Sequence, residues 1–319
     1  MKNKNICIIG AGAWGTAIAK QISRNGNDVT LYCRDSVLAD EINKNCENKK
    51  YLPTIKLEKV QATSDISIIE NSDIIFITTP SQYMRSIIEK IKIEENSEIV
   101  ICCKGIENET LDSMESIVKQ YFPNNNIIIF SGPTFAIEVA KGLPTIATLA
   151  GKKTKNIESV LSSKNLRFYN TDDIIGVEIL GTIKNVLAIA CGIVAGKKLG
   201  DNAKASLITR GINESIKICV ALGGREKTAL GPSGIGDLIL TASSIQSRNM
   251  SLGYELGQGK SIDDILKSRN TVTEGVANTK SIIEIANNNN IEMPICNAVY
   301  NIIYNGNDID NEIKSLLNR

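Results

Sequence analysis

Ile6-Cys7-Ile8-Ile9-Gly10-Ala11-Gly12-Ala13-Trp14-Gly15 joins a short apolar run to a glycine turn, and residues 15–25 then carry apolar side chains at three- and four-residue spacing. A continuous Ile-rich run reads as a strand covered on both faces, and the spacing after it as an amphipathic helix. Strand, GxGxxG and helix in that order form a dinucleotide-binding unit. Gly10 permits the tight turn, Gly12 lets backbone approach a pyrophosphate, and Gly15 lets helix and strand pack closely. The helix start adds unpaired N–H groups and the positive end of its dipole. A glycine turn that serves packing alone is the alternative, and the agreement of strand, helix and unit length counts against it.

Working outward, further apolar runs at 28–33, 73–78, 98–103, 127–131 and 145–149 predict strands, with an edge strand at 166–169. Segments 35–45, 82–92 and 110–121 have helical spacing, as crossover connections require. After about residue 173 the strands stop. Segments 174–195, 203–222, 261–268, 273–287 and 298–304 read as helices. The expected fold is α/β, a Rossmann-like doubly wound, mostly parallel sheet followed by an all-α C-terminal domain. The boundary falls near 175, giving a dinucleotide-binding domain over 1–175 and a helical substrate-binding domain over 176–319.

The 319 residues carry 36 basic and 35 acidic side chains and no histidine. Near-neutral charge disfavours a nucleic-acid-coating surface. Without histidine there is no imidazole base, no histidine-containing triad and no histidine-ligated zinc, and no metal site is expected. Proton transfer falls to Lys, Asp, Glu, Cys or Tyr. The eight cysteines form no CxxC pair and mostly sit in apolar runs, as buried, reduced side chains of a reducing compartment do. The start, Met1 to Ile9, is too brief for a signal peptide, and the longest apolar stretch, 186–196, is about half a membrane span. A soluble cytoplasmic protein without membrane insertion is expected.

In an open parallel sheet, ligands bind outside the carboxyl ends of the strands. There the sequence places Thr79-Pro80-Ser81, Lys104-Gly105 and Gly132-Pro133-Thr134-Phe135-Ala136. Lys104 follows five apolar residues and suits an anionic substrate, although a lysine snorkelling from a strand end reads the same way. At the second strand's end stands Cys33-Arg34-Asp35. Arg34 suits the 2′-phosphate of NADPH, Asp35 keeps NADH open, and a solvated surface arginine is an equal reading of Arg34. In the helix from 178 to 190, Lys184 and Asn185 interrupt an apolar span. Burial lowers a lysine pKa toward the range useful for acid–base catalysis. With histidine absent and no Tyr-x-x-x-Lys in the chain, Lys184 is the preferred catalytic group. The alternative is a structural ion pair with Glu178 or another acid. Gly231 to Leu238 puts Asp237 behind a glycine run, and Ser247-Arg248-Asn249 suits a phosphate dianion. Alone, either cluster reads as a helix cap or a surface loop.

Taken in order, these clusters resemble the bacterial NAD(P)-dependent glycerol-3-phosphate dehydrogenase family. The similarity runs end to end: Gly10 to Gly15 with its tryptophan, Tyr51-Leu52-Pro53, Lys104-Gly105, Ser131 to Ala136, Lys184-Asn185, Asp201 to Lys204, Leu207 to Gly211, Gly236-Asp237-Leu238, Ser247-Arg248-Asn249 and Glu274-Gly275. The resemblance implies reversible reduction of dihydroxyacetone phosphate to sn-glycerol 3-phosphate for phospholipid synthesis, with NADPH or NADH, by a homodimer. It assigns Lys184 as proton donor and acceptor. It makes Lys104, Gly132, Thr134, Asp237, Ser247, Arg248 and Asn249 substrate contacts together with Lys184. Ala13, Trp14, Arg34, Tyr51, Lys104, Ala136, Arg248, Val272 and Glu274 become cofactor contacts beside the three glycines. Lys197-Lys198, Gly231-Pro232-Ser233 and Thr241-Ala242-Ser243 depart from the family's pattern, and none is expected to touch the positions assigned chemistry.

Two other readings stand beside it. A β-hydroxyacid dehydrogenase shares the two-domain plan but resembles a Lys-x-x-x-Asn helix, whereas the residue four after Lys184 is Ala188. A non-catalytic NAD(P)H sensor needs the glycine loop but has no use for Lys184, Asp237 and Arg248 together.

Overall fold

In the computed structural model the described residues are 4–269 and 272–318, so the first three residues of the N-terminal start lie outside them. The chain divides into two units, Met1–Cys103 with Met114–Ile174, and Lys104–Ser113 with Ile175–Arg319.

The first unit is built on eight strands, β1 (Ile6–Ile9), β2 (Val29–Tyr32), β3 (Val60–Thr63), β4 (Ile74–Ile77), β5 (Glu98–Ile101), β6 (Asn126–Ser131), β7 (Thr145–Ala150) and β8 (Leu166–Thr171). They form one sheet in the order β3-β2-β1-β4-β5-β6-β7-β8. Every neighbouring pair is parallel except β6–β7. The helices are α1 (Ala13–Arg24), α2 (Ser36–Asn45), α3 (Met84–Ile88), α4 (Met114–Tyr121), α5 (Ala136–Lys141) and α6 (Lys155–Leu161). This is the doubly wound sheet expected. Its strand order reverses between β1 and β4, and Ile9 is in register with both Tyr32 and Ile77. The segments that follow these three strands therefore emerge together, at the switch point where such sheets bind ligands.

Three elements of this unit were not read from the sequence: β3, α5 and α6. Strand β3, Val-Gln-Ala-Thr, lies at the sheet edge with Ala62 alone buried, so it lacks the apolar run of the inner strands. Asn43 of α2 closes its open side, donating to the Ala62 carbonyl and accepting from the Ala62 N–H, both at 2.8 Å. That pairing blunts an edge that would otherwise recruit another strand. The helix expected over 110–121 starts only at Met114. Residues before it belong to the second unit: Ile106 is buried in that unit's core, bridges to Ser113, and the turn between them holds Leu111 at φ 61°. A single boundary near 175 does not capture this excursion, which carries Lys104.

The second unit is helical: α7 (Ile174–Gly196), α8 (Asp201–Ala221), α9 (Glu226–Ala229), α10 (Asp237–Ser243), α11 (Arg248–Gly257), α12 (Ile262–Lys267), α13 (Glu274–Asn288), α14 (Pro294–Tyr304) and α15 (Ile309–Leu317). Helix α7 is long and apolar enough by composition to cross a membrane, but all its residues from Gly176 to Val194 are buried in the protein. It meets α11 through glycines. A Cβ on Gly192 would lie 2.2 Å from the Met250 carbonyl oxygen, and one on Gly253 would lie 2.0 Å from that of Ile189. Gly196 and Gly257 repeat the contact one turn along. Backbone therefore packs on backbone, fixing where the start of α11 lies against the middle of α7. Gly253→Ala should force the helices apart and lower stability by about 3 kcal/mol, the upper part of the range for overpacking. A thermal unfolding midpoint unchanged from wild type would refute that constraint.

Candidate active site

In the first unit the glycine loop holds the geometry its sequence implies. Gly10 sits at φ 112°, where a Cβ would also strike Thr78 Oγ1 at 2.8 Å. A Cβ on Gly15 would lie 1.9 Å from the Gly10 carbonyl oxygen, so only glycine allows α1 to start so close to β1. Thr78 Oγ1 lies 2.9 Å from the carbonyl oxygens of both Ile9 and Gly10 and braces the turn with its hydroxyl. Nothing lies within 4 Å of the position a Gly12 Cβ would take. Gly12 also N-caps α1 without a side-chain hydrogen bond, and the first turn has no acidic residue. An open, uncapped helix start of this kind fits a pyrophosphate.

Trp14 and Ala13 are half-buried against the unit's core, with the indole edge-on to Phe130 at 5.3 Å between centroids. The tryptophan anchors the loop by packing. A residue that belongs to no motif holds the next segment in place. Asn48 is fully buried, donates from Nδ2 to the Ala11 carbonyl and to Thr16 Oγ1, both at 2.8 Å, and accepts the Tyr51 N–H at 3.2 Å. Tyr51 is thereby tied to the glycine loop. Arg34 is exposed at the end of β2, while Asp35 caps α2, accepting the N–H groups of Val37 and Leu38. Gly132 is buried at φ 142°, where a Cβ would lie 2.9 Å from Ala147 Cα. Thr134 and Ala136 are half-buried after it.

In the second unit, Lys104, Lys184 and Asp237 converge. Asp237 Oδ2 pairs with Lys104 and Oδ1 with Lys184, the latter at 3.2 Å. Lys184 also donates to Thr241 Oγ1 at 2.8 Å, and that hydroxyl donates to Asp237 Oδ1 at 3.3 Å. All three polar groups at the centre, Lys184, Asp237 and Thr241, are buried. Burial pulls the Lys184 ammonium down; Asp237 holds it up, Lys104 pushes it down again, and the result is about 8 against an ordinary 10.5. For Asp237, burial pushes the carboxyl up, but the two ammonium groups outweigh it and keep the pKa below its ordinary value. The partner of Lys184 is thus Asp237, four residues before Thr241 on α10, and not Glu178. Glu274, at the start of α13, adds a weaker favourable charge to Lys184.

The remaining polar cluster is a helix start. Ser247 N-caps α11, its hydroxyl accepting the Met250 N–H at 3.3 Å. Asn249 is buried and occupied at both ends: its amide donates to Asn185 Oδ1 at 2.8 Å and accepts the Gly275 N–H at 3.0 Å. It locks α7, α11 and the start of α13 together. Arg248 is exposed, with one guanidinium N–H on the Val272 carbonyl at 2.9 Å. Val272 is itself exposed. The expectation that Thr241-Ala242-Ser243 touches no position assigned chemistry does not hold: Thr241 bonds both Lys184 and Asp237, and its i, i+4 spacing from Asp237 is the helical signal that sets the two side by side. For Asn48 no local pattern exists.

Comparison with known proteins places these features in context. Residues 5–157 match the family described as NAD-dependent glycerol-3-phosphate dehydrogenase N-terminus, and residues 173–314 match its C-terminus. Glycerol-3-phosphate dehydrogenase [NAD(P)+] from Maricaulis maris is 43% identical, covering 99% of this chain and 97% of that protein. The one from Parvibaculum lavamentivorans is 41% identical with the same coverage. Among solved structures, glycerol-3-phosphate dehydrogenase from Coxiella burnetii superposes with a TM-score of 0.96 at 35% identity, over 99% of both chains. A ketopantoate reductase from Ralstonia eutropha, at 15% identity and a TM-score of 0.62 over 94% of this chain and 97% of that one, shares the fold alone.

Proposed function

The chain belongs to the NAD-dependent glycerol-3-phosphate dehydrogenase family, and we infer that it reduces dihydroxyacetone phosphate to sn-glycerol 3-phosphate, reversibly, with NADPH or NADH. The product is the glycerol phosphate backbone of phospholipids. When bound, the reduced nicotinamide supplies the hydride that C2 of the substrate accepts. Backbone of the Gly10 to Gly15 loop, with Arg34, Tyr51 and Ala136, holds the cofactor in the first unit. The family resemblance assigns Lys104, Arg248, Val272 and Glu274 to the cofactor as well.

The observation that carries this reading is the Lys104–Asp237–Lys184 cluster, with Asp237 and Lys184 buried. Lys184 gives a proton from Nζ to the substrate oxygen as the alkoxide develops, and takes it back in the reverse direction. A pKa of about 8 suits both directions near neutral pH. Asp237 stays ionised, holds the Lys184 ammonium through Oδ1 and Thr241, and keeps Lys104 beside it. Lys104 and the Asn185 amide stabilise the developing negative charge. Arg248 has guanidinium N–H groups beyond the one on Val272, suited to phosphate pairing. Ser247 and Asn249 set the start of α11 on which Arg248 stands, and the family resemblance adds Gly132 and Thr134 as substrate contacts.

The direct test is loss of reduced-nicotinamide absorbance when purified protein meets dihydroxyacetone phosphate, with NADPH and NADH in parallel. Turnover is expected with at least one of them, and none with either would overturn the assignment. The same reading makes the protein a cytoplasmic homodimer joined through its helical unit. All eight cysteines are free and six are buried, which supports a reducing compartment. Sedimentation at the mass of one chain would remove the dimer.

A further inference from the structure

In dinucleotide-binding folds an acidic side chain near the end of the second strand binds the adenosine ribose hydroxyls, and its loss in favour of cations admits a 2′-phosphate. Here the first residue past β2 is Cys33, whose side chain is buried. Asp35, the nearest carboxylate, is committed elsewhere. Its Oδ1 accepts the N–H groups of Val37 and Leu38 at 3.1 and 3.3 Å, and its Oδ2 faces the Lys50 ammonium at 3.7 Å. Two cations remain at this strand end. Arg34 is exposed and, among the described residues, makes no hydrogen bond or ion pair. Lys50 is 54% exposed in its side chain, and lies 5.4 Å from the Tyr51 ring centre. Both cations stand close enough to Cys33 for their charges to act on its thiol.

Lys50 does not hang on a loose loop. Asn48, two residues earlier, is bolted to the Ala11 carbonyl of the glycine loop and to Thr16 of α1, and it receives the Tyr51 N–H. The Lys50 backbone is thus fixed against the turn that takes the pyrophosphate, leaving only its flexible side chain to move. Its ion pair with Asp35 is solvent-exposed and weak, so exchanging it for a dianion is favourable.

We propose that Lys50, acting with Arg34, is a receptor for the adenosine 2′-phosphate and gives this protein a preference for NADPH over NADH. The proposal rests on the cofactor half of the function above and adds a residue to it. The capping role of Asp35 is part of the device. A carboxylate turned toward the start of α2 is partly neutralised by that helix and presents no free acceptor pair to the 2′-hydroxyl.

The test reads binding, not turnover. Full-length protein is titrated with NADPH and with NADH in the absence of substrate, following reduced-nicotinamide fluorescence. Wild type is expected to bind NADPH more tightly by about ten-fold or more, the size of one charge-assisted contact. Lys50→Ala should cut that ratio by about five- to ten-fold, Lys50→Arg should restore it, and Arg34→Ala with Lys50→Ala together should abolish it. The wild-type ratio should also shrink as salt rises, since the contact is exposed. A Lys50→Ala ratio equal to wild type, or a wild-type preference for NADH, overturns the proposal while leaving the dehydrogenase assignment intact. Binding of neither nucleotide overturns both.

Discussion

Lys184→Met should yield a folded protein whose kcat is lower by about two to four orders of magnitude, the usual contribution of a positioned acid or base. Methionine keeps the apolar stem that α7 buries while removing the ammonium. Asp237 then retains Lys104 on Oδ2 and the Thr241 hydroxyl on Oδ1, so no carboxylate is stranded. The thermal midpoint should therefore change little, which separates lost chemistry from lost structure. The pH profile makes the assignment specific. With a Lys184 pKa of about 8, reduction of the ketone needs the ammonium and should decline as pH rises through that value. Oxidation of the alcohol needs the free amine and should rise through it. Both limbs should vanish in Lys184→Met, leaving residual activity flat across that range. A variant with near-normal kcat, or one that keeps the limb at about 8, removes Lys184 from proton transfer.

The parts of the molecule that were readable from the chain are those whose cause is local. The β1 turn declares itself because an apolar run, three glycines and a helix-period segment are contiguous, and the inner strands because burial on both faces demands unbroken Ile and Val. Edge strand β3 has only one covered neighbour and loses that signature. The site divides along the same line. Lys184 is conspicuous as a charge inside an apolar helix, but its pairing with Lys104 through Asp237 joins positions 133 residues apart. That pairing depends on Ile106 drawing residues 104–113 into the helical unit, a preference no window around Lys104 contains. Ser247-Arg248-Asn249 was legible as a polar cluster, yet its parts do different work. One residue caps a helix, one ties three helices together, and one faces solvent with its guanidinium. Asn48 was invisible because an asparagine in a polar stretch has no periodicity, and only the folded chain shows what its amide holds.

Asp237→Ala should be the most destabilising single change at the site, because it strands two ammonium groups around a buried position at once. Breaking a buried pair by removing one partner costs about 3–5 kcal/mol. Here the loss should depend on pH in a direction the linkage fixes. Lys184 already titrates below its unfolded value, so the folded state binds fewer protons than the unfolded state between about 8 and 10.5, and its contribution to stability rises with pH over that window. Below about 8 the wild-type contribution is level, since both states are protonated. Without Asp237 the anion that holds the ammonium up is gone, and the folded pKa of Lys184 falls further. The variant then goes on losing stability as pH drops below 8, by up to about 1.4 kcal/mol per pH unit, until the new folded value is reached. The gap between wild type and Asp237→Ala should accordingly be narrow at pH 9 and wide at pH 6, as denaturant midpoints at the two pH values would show. Asp237→Asn should fall between them: its amide oxygen still accepts from one lysine, but its NH2 confronts the other. In any turnover it retains, the limb near 8 should move to lower pH. Unfolding curves for wild type and Asp237→Ala that stay parallel from pH 6 to 9 would mean that Asp237 is not the counter-charge that sets Lys184.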